Sequence, residues 1–341
     1  MEKEILFHQE LEKENSESTV EKSIQRYKDT IIPFYKAKGV SEQFLGVADV
    51  AISCRTFLAQ NATAKIILCT GYNESYLKYS ELIMNLCESG FSVYCYDHRG
   101  QGFSGRFLNQ EKRGYVDKFE NYVDDLCYFF EQVSGSQKND LPIFFIAHSM
   151  GGAICSLAVN EKKINPNGVI LSAPMHEIML TPYHILEVPV YGILSLMCKL
   201  NYANKYAFGQ TDCIPFRPFE GNDVTHSKAR YSVWRKHIDE IEDMQLGGPT
   251  FQWLKEAVGA SRTCRKHFAK MNIPILLLQA EVDTVVRNSA QDIFSKNNEN
   301  CEKIVLENSK HEILMEIDFI RNKALDYIKK FINQKINSPN K

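Results

Sequence analysis

Short apolar runs recur along most of the chain and alternate with longer amphipathic stretches. The runs predict strands over residues 41–45, 50–59, 65–70, 91–97, 143–148, 168–172, 275–280 and 303–307. The stretches between most of them predict helices over 76–89, 116–133, 152–162, 289–296 and 317–332. Several strand runs have no polar break, as in Ile143-Phe144-Phe145-Ile146 and Ile275-Leu276-Leu277-Leu278. A continuous run suits a strand covered on both faces rather than one with a wet side. Such strands alternating with helices imply βαβ units, a mostly parallel eight-stranded sheet and an α/β fold.

The rhythm stops between about 175 and 270, where Pro, Tyr and short helical pieces replace strand punctuation. That segment reads as an insertion, a cap, between two late strands. Residues 1–40 are charged and helix-permissive, with a polar break at Glu14-Asn15-Ser16-Glu17-Ser18. The expected division is therefore an N-terminal helical arm (1–40), a core (41–174 and 271–341) and a cap (175–270). The longest apolar stretch, 185–200, is interrupted by Glu187, Pro189, Gly192 and Lys199. It falls short of the roughly 20 residues a spanning helix needs. It remains free to lie against a membrane.

At 341 residues the chain is long enough for a real core, with 44% apolar and 24% charged residues and a net charge of -2. Neither a disordered polyelectrolyte nor a basic nucleic-acid binder fits these values. The ten cysteines are scattered singly without a C-x-x-C spacing. They read as small buried hydrophobes rather than zinc or dithiol sites. The opening Met1-Glu2-Lys3-Glu4-Ile5-Leu6 reaches no apolar signal core. A cytoplasmic location follows as the expectation.

One segment carries distinctive chemistry. In Ile146-Ala147-His148-Ser149-Met150-Gly151-Gly152 a buried strand runs into a serine flanked by tiny residues, and a helical pattern follows at once. This is the context of a nucleophile elbow, with Ala147 in place of the first glycine of G-x-S-x-G. The partners of such a serine follow it in the order acid, then histidine. His311, just past the last strand, is the base candidate, with His98 a weaker one. Asp283, after the strand over 275–280, is the acid candidate, with Glu281 as its substitute. Backbone N–H groups of Met150 and, after Thr70-Gly71, of Tyr72 are the candidates for an oxyanion hole. The literal G-x-G-x-x-G at Gly100–Gly105 competes as a dinucleotide motif. It opens no helical pattern, which argues against that reading.

Taken together, these segments resemble a known family. The run Tyr96-Asp97-His98-Arg99-Gly100-Gln101-Gly102-Phe103-Ser104-Gly105-Arg106, the pieces Arg113-Gly114-Tyr115-Val116 and Asn121-Tyr122-Val123-Asp124, the elbow, Gly247-Gly248-Pro249-Thr250 and His311-Glu312-Ile313-Leu314 are similar to the bacterial lysophospholipases. These belong to the α/β-hydrolase superfamily and are related to monoacylglycerol lipases and serine aminopeptidases. Monoacylglycerol lipases usually carry His-Gly where this chain has Thr70-Gly71.

The resemblance implies an α/β-hydrolase fold, the triad Ser149, Asp283 and His311, hydrolysis of the acyl ester of a lysophospholipid, and no metal or organic cofactor. Within the cap, Val188, Val190, Ile193, Leu194, Leu196 and Met197 are candidates to take the acyl chain or, alternatively, to seal the cap onto the core. Arg217, Arg230 and Arg235 are candidates for a head-group phosphate. A lipid substrate implies peripheral contact with the inner face of the cell membrane. A general esterase, a monoacylglycerol lipase, an aminopeptidase and a non-catalytic binding module remain as alternatives.

Overall fold

A computed structural model describes residues 2–107, 112–135, 141–161, 163–180, 187–266 and 271–337. The expected helix end at Lys162, the cap boundary at Lys270 and the last residue of the expected core, Lys341, lie outside them. The arm forms α1 (Glu2–Glu14), α2 (Glu17–Arg26) and α3 (Ile32–Lys38). The alternating part follows as β1 (Gly39–Leu45), β2 (Ala51–Phe57), β3 (Ala64–Cys69), α4 (Ser80–Glu88), β4 (Phe91–Tyr96), α5 (Glu120–Gly135), β5 (Ile143–His148), α6 (Met150–Asn160) and β6 (Gly168–Ser172). The insertion contributes α7 (Glu187–Met197), α8 (Lys228–Glu240) and α9 (Phe251–Lys266). The chain closes with β7 (Ile275–Ala280), α10 (Asn288–Asn297), β8 (Cys301–Leu306) and α11 (Asp318–Asn337).

The eight strands form one sheet in the order β1-β2-β4-β3-β5-β6-β7-β8. Only β2 runs antiparallel to its neighbours; from β4 to β8 every pairing is parallel. Register aligns Leu68, Ile146, Ile170 and Leu276 in a row across the middle of the sheet. Because successive side chains point to opposite faces, the unbroken apolar runs feed two cores. Ile67, Phe145, Leu171 and Leu277 pack with Leu126 of α5, Ile154 of α6 and Phe294 of α10. Ile66, Phe144, Ile170 and Leu276 pack on the other face with Leu82 of α4 and Ile328 of α11. Phe144 and Phe145 are both fully covered, each stabilising the fold by roughly 1.5–3 kcal/mol.

The insertion rejoins the core earlier than the sequence suggests. Trp253, Ala257, Ala260 and Cys264 of α9 lie in the first core, so α9 acts as the crossover helix between β6 and β7. Its apolar face follows the helical period, but no strand signal marks where the insertion ends. The arm is likewise tied down. The Glu14 carboxylate accepts the first N–H groups of α11, from Asp318 at 2.7 Å and Phe319 at 3.0 Å, which caps that helix. Asn15 donates to the His226 carbonyl and accepts from Lys228 N–H, joining the arm to the start of α8. All ten cysteines are free, five of them buried and five half-buried.

Candidate active site

Ser149 sits between β5 and α6 with φ 50° and ψ -115°, a strained conformation for a residue with a side chain. Close approach holds it there. A Cβ on Gly151 would lie 2.5 Å from the carbonyl oxygens of both Cys69 and Thr70, and one on Gly152 would lie 2.7 Å from Pro174 Cβ. The Ser149 carbonyl accepts from Gly152 N–H and from Met175 N–H, each at 2.9 Å, while its own N–H donates to Ser172 O at 3.1 Å. The turn therefore cannot relax without parting β5 from β6, and the serine is presented at the carboxyl ends of the parallel strands.

Two loops after later strands complete a relay. His311 Nε2 lies 3.0 Å from Ser149 Oγ, and His311 Nδ1 lies 2.8 Å from Asp283 Oδ2. A carboxylate only accepts, so Nδ1–H donates to Asp283 and Nε2 is left to accept the serine proton. Asp283 Oδ1 accepts the N–H groups of Val285 at 2.8 Å and Val286 at 2.9 Å. Burial pushes the Asp283 carboxyl up, but the His311 hydrogen bond and charge, with the two amides, hold it below its ordinary value. The substitutes fall elsewhere. Glu281 accepts from Asn308 N–H in the neighbouring loop. His98 donates Nε2–H to the Thr70 carbonyl at 3.0 Å, and burial lowers it to about 4.

Sequence reasoning missed the support beneath this relay. Glu74 Oε2 accepts Gly71 N–H at 2.5 Å and the Tyr79 hydroxyl at 2.8 Å, while Oε1 pairs with Lys78 Nζ at 2.7 Å. Lys78 also reaches Glu312 Oε1 at 2.6 Å, and its side chain is 2% exposed. Burial pushes Glu74 up, but the charges of Lys78 and His148 and the hydrogen bonds from Lys78 and Gly71 bring it down to about 2. The His148 ring packs 4.8 Å from the His311 ring and donates Nδ1–H to Ser172 O. Burial lowers His148 to about 4, so its 4.0 Å approach to Glu74 is not an ion pair at neutral pH. The Glu74–Lys78 spacing of four beside Gly71 was the available signal. Among the described residues no acceptor takes the N–H of Tyr72 or of Met150.

The segment Gly100–Gly105 opens no helix and serves the same loop. Gln101 donates to the carbonyls of Gly71 and Glu74 and accepts from Asn73 N–H. Asp97 accepts from Ser75 Oγ, Tyr76 N–H and Phe103 N–H, and a Cβ on Gly102 would collide with it.

The serine aminopeptidase S33 family model matches residues 60–318, a span that holds all three relay residues. The chain belongs to this family. It is 33% identical over 319 residues to lysophospholipase L2 of Escherichia coli, covering 90% of each protein. It is 30% identical over 306 residues to the probable lysophospholipase L2 of Haemophilus influenzae, covering 89% of this chain and 95% of that one. Among solved structures, a soluble variant of the Saccharomyces cerevisiae monoglyceride lipase bound to a substrate analogue superposes with a TM-score of 0.70 at 19% identity, over 87% of this chain and 94% of that one. The fold is that of the α/β-hydrolases, as the resemblance implied.

In this S33-family chain the insertion residues divide by environment. Leu194 is buried against Ala207, Phe251 and Val258, and Met197 and Val190 pack on the same cluster. Sealing α7 onto α9 accounts for Leu194 and Met197, the second of the two roles expected of them. Val188, Ile193 and Leu196 turn outward, 64%, 49% and 55% exposed. Arg230 is corrected as a phosphate ligand. Its guanidinium is held by Glu81 at 2.8 Å and Asp318 at 2.6 Å, bracing α8 against α4 and α11. Arg217 and Arg235 line cavities that reach Tyr72 and Asn73. Among the described residues no group of three His, Cys, Asp or Glu side chains is placed to hold a metal ion, and no helix is long and apolar enough to cross a membrane.

Proposed function

We propose that this chain is a lysophospholipase that cleaves the fatty acyl ester of its substrate through a Ser149 acyl-enzyme. The observation that carries the reading is the Ser149–His311–Asp283 relay at an elbow, in a chain that matches a lysophospholipase L2 over nine-tenths of its length. Ser149 Oγ attacks the ester carbonyl while its proton passes to His311 Nε2. Asp283 holds the Nδ1–H tautomer and stabilises the imidazolium. The Met150 and Tyr72 N–H groups take the oxyanion, each such donor contributing roughly 3–4 kcal/mol to the transition state. Collapse breaks the bond to the glycerophospho-alcohol, whose oxygen takes the proton from His311. Water then gives a proton to His311 and adds to the acyl carbon, and the second collapse returns that proton to Ser149 and releases the fatty acid.

On this reading the insertion caps the site, and the protein works from the cytoplasm on the inner face of the membrane. The outward apolar residues Val188, Ile193 and Leu196 of α7, with Phe208 and Phe216 beyond it, support contact with a lipid surface. The deciding experiment compares turnover of lysophosphatidylcholine, monoolein and an aminoacyl-arylamide by wild type and Ser149→Ala, with fluorophosphonate labelling of both. The expected result is lysophospholipid turnover and labelling in wild type alone. A wild type inert toward lysophospholipid but active on monoolein or the arylamide replaces this reading by the corresponding hydrolase. Labelling that persists in Ser149→Ala removes the proposed nucleophile.

A further inference from the structure

Two cavities, of about 260 and 420 Å³, are both lined by Tyr72, Asn73, Arg217 and Arg235. The other charges around them are already matched. Lys78 is saturated by Glu74 and Glu312, Arg230 by Glu81 and Asp318, and Asp212 accepts the Tyr206 hydroxyl. Arg217 differs: among the described residues no side chain or carbonyl takes its guanidinium. Arg235 donates Nη2–H to the Ile214 carbonyl and lies 3.8 Å from Asp239, while its Nε is buried with no acceptor.

The backbone that carries Arg217 is nonetheless fixed. The Tyr231 hydroxyl donates to the carbonyls of Arg217, at 3.3 Å, and Pro218, at 2.9 Å. Phe216 N–H donates to Asp239 at 3.0 Å, and the Arg235 contact to Ile214 braces the same turn. A guanidinium with free donors, held on an anchored turn in a concave site, suits a phosphate oxygen better than any neutral group.

We propose that Arg217 and Arg235 form a subsite for the phosphate of the substrate head group, beside the loop that supplies Tyr72 N–H to the oxyanion. In a lysophospholipid only the glycerol backbone separates the scissile carbonyl from the phosphate. A carbonyl held at Tyr72 therefore brings its phosphate to the mouth of one of these cavities. A monoacylglycerol has nothing to place there. The subsite thus selects lysophospholipid over monoacylglycerol, and it rests on the lysophospholipase reading above.

The test measures kcat/KM for lysophosphatidylethanolamine and for monoolein in wild type, Arg217→Ala, Arg217→Lys and Arg235→Gln, with fluorophosphonate labelling as a check on the folded site. Arg217→Ala and Arg235→Gln are expected to lose about tenfold on the lysophospholipid, mainly through KM, with monoolein unchanged. Arg217→Lys should recover part of the loss. Glycerophosphoethanolamine should inhibit wild-type turnover of monoolein and inhibit Arg217→Ala less. Equal losses on both substrates, or none on the lysophospholipid, overturn the subsite. Inhibition by inorganic phosphate alone, with lysophospholipid turnover intact in Arg217→Ala, assigns the pocket to free phosphate and also overturns it. A wild type inert toward lysophospholipid sinks the functional reading, whereas an active wild type matched by Arg217→Ala sinks only the subsite.

Discussion

Lys78 Nζ lies 2.6 Å from Glu312 Oε1, and Glu312 directly follows His311. The same ammonium pairs at 2.7 Å with Glu74, whose other oxygen holds Gly71 N–H. One buried cation therefore ties the loop of the proposed oxyanion donor to the loop of the proposed base. Its two partners are acids, so removing it leaves the buried Glu74 and the half-buried Glu312 carboxylates uncompensated. Lys78→Met should cost about 3–5 kcal/mol of stability and lower kcat more than it raises KM. Urea unfolding and steady-state kinetics check this; a variant with wild-type kcat would show that the two loops hold their geometry without the cation.

Gly151 marks how closely α6 approaches β3. Its missing Cβ is replaced by the carbonyl oxygens of Cys69 and Thr70, both backbone atoms that cannot swing aside. Gly151→Ala should therefore push the elbow away from the loop of Gly71 and Tyr72. A loss of about 1–3 kcal/mol in stability is expected, together with a disproportionate fall in acylation rate, measured by burst kinetics on an activated ester. A variant that acylates at the wild-type rate would detach the elbow from the oxyanion loop.

Asp283→Asn tests the orientation of His311, the proposed base. The amide is nearly isosteric, yet it no longer demands Nδ1–H from His311, so the ring is free to turn its proton toward Ser149. A fall in kcat of about four orders of magnitude is expected, with KM little changed. Retention of more than a tenth of wild-type kcat would return the role of acid to another carboxylate, with Glu281 the nearest in sequence.

The sheet and the relay were legible because each depends on local pattern. The runs at 143–148, 168–172 and 275–280 match β5, β6 and β7 residue for residue, since a strand buried on both faces carries a nearly unbroken apolar run. Ser149 and Asp283 follow buried strands and His311 follows the edge strand β8, so chain order alone brought them to the carboxyl ends of one sheet. The support network was not legible. Glu74 and Glu312 look like ordinary loop acids until the fold buries Lys78 between them, and nothing local announces a contact between residues so far apart in sequence. The boundary of the insertion failed for a similar reason. The apolar face of α9 has the same period whether it packs within a cap or under the sheet, and only the packing of Trp253 and Ala257 decides. On α7 the alternation of Leu194 and Met197 with Ile193 and Leu196 separates a sealing face from an outward one, a division invisible in a run that is apolar throughout.

Three buried histidines make the fold sensitive to acid. Burial lowers His98 and His148 to about 4 and His176 to about 3, against an ordinary value of 6.5. Below pH 6.5 the unfolded chain takes up these protons while the folded chain does not. Their contribution is thus fully present above pH 6.5 and is lost as pH falls toward 4. Glu74 adds to the loss at the lower end, since its folded value of about 2 lies below the ordinary 4.5. Stability should fall by on the order of 1–2 kcal/mol per histidine between pH 7.5 and pH 5, read from urea midpoints. A midpoint that stays constant over that interval would contradict the neutral burial of these rings.

The outward face of α7 offers the last prediction. With a net charge of only -2, attraction to an anionic bilayer is weak, so an approach to lipid has to rest on apolar contact. Ile193 and Leu196 lie three apart on one side of α7 and are outside the cluster that seals it onto α9, which Val190, Tyr191, Leu194 and Met197 make. Ile193→Asp with Leu196→Asp should therefore leave folding and the hydrolysis of a short-chain soluble ester unchanged. Sedimentation with phosphatidylethanolamine–phosphatidylglycerol vesicles should fall about tenfold, and turnover of vesicle-borne lysophospholipid should fall with it. Full sedimentation of the double variant would move the lipid contact off α7, and loss of soluble-ester activity would place these side chains in the path of the acyl chain instead.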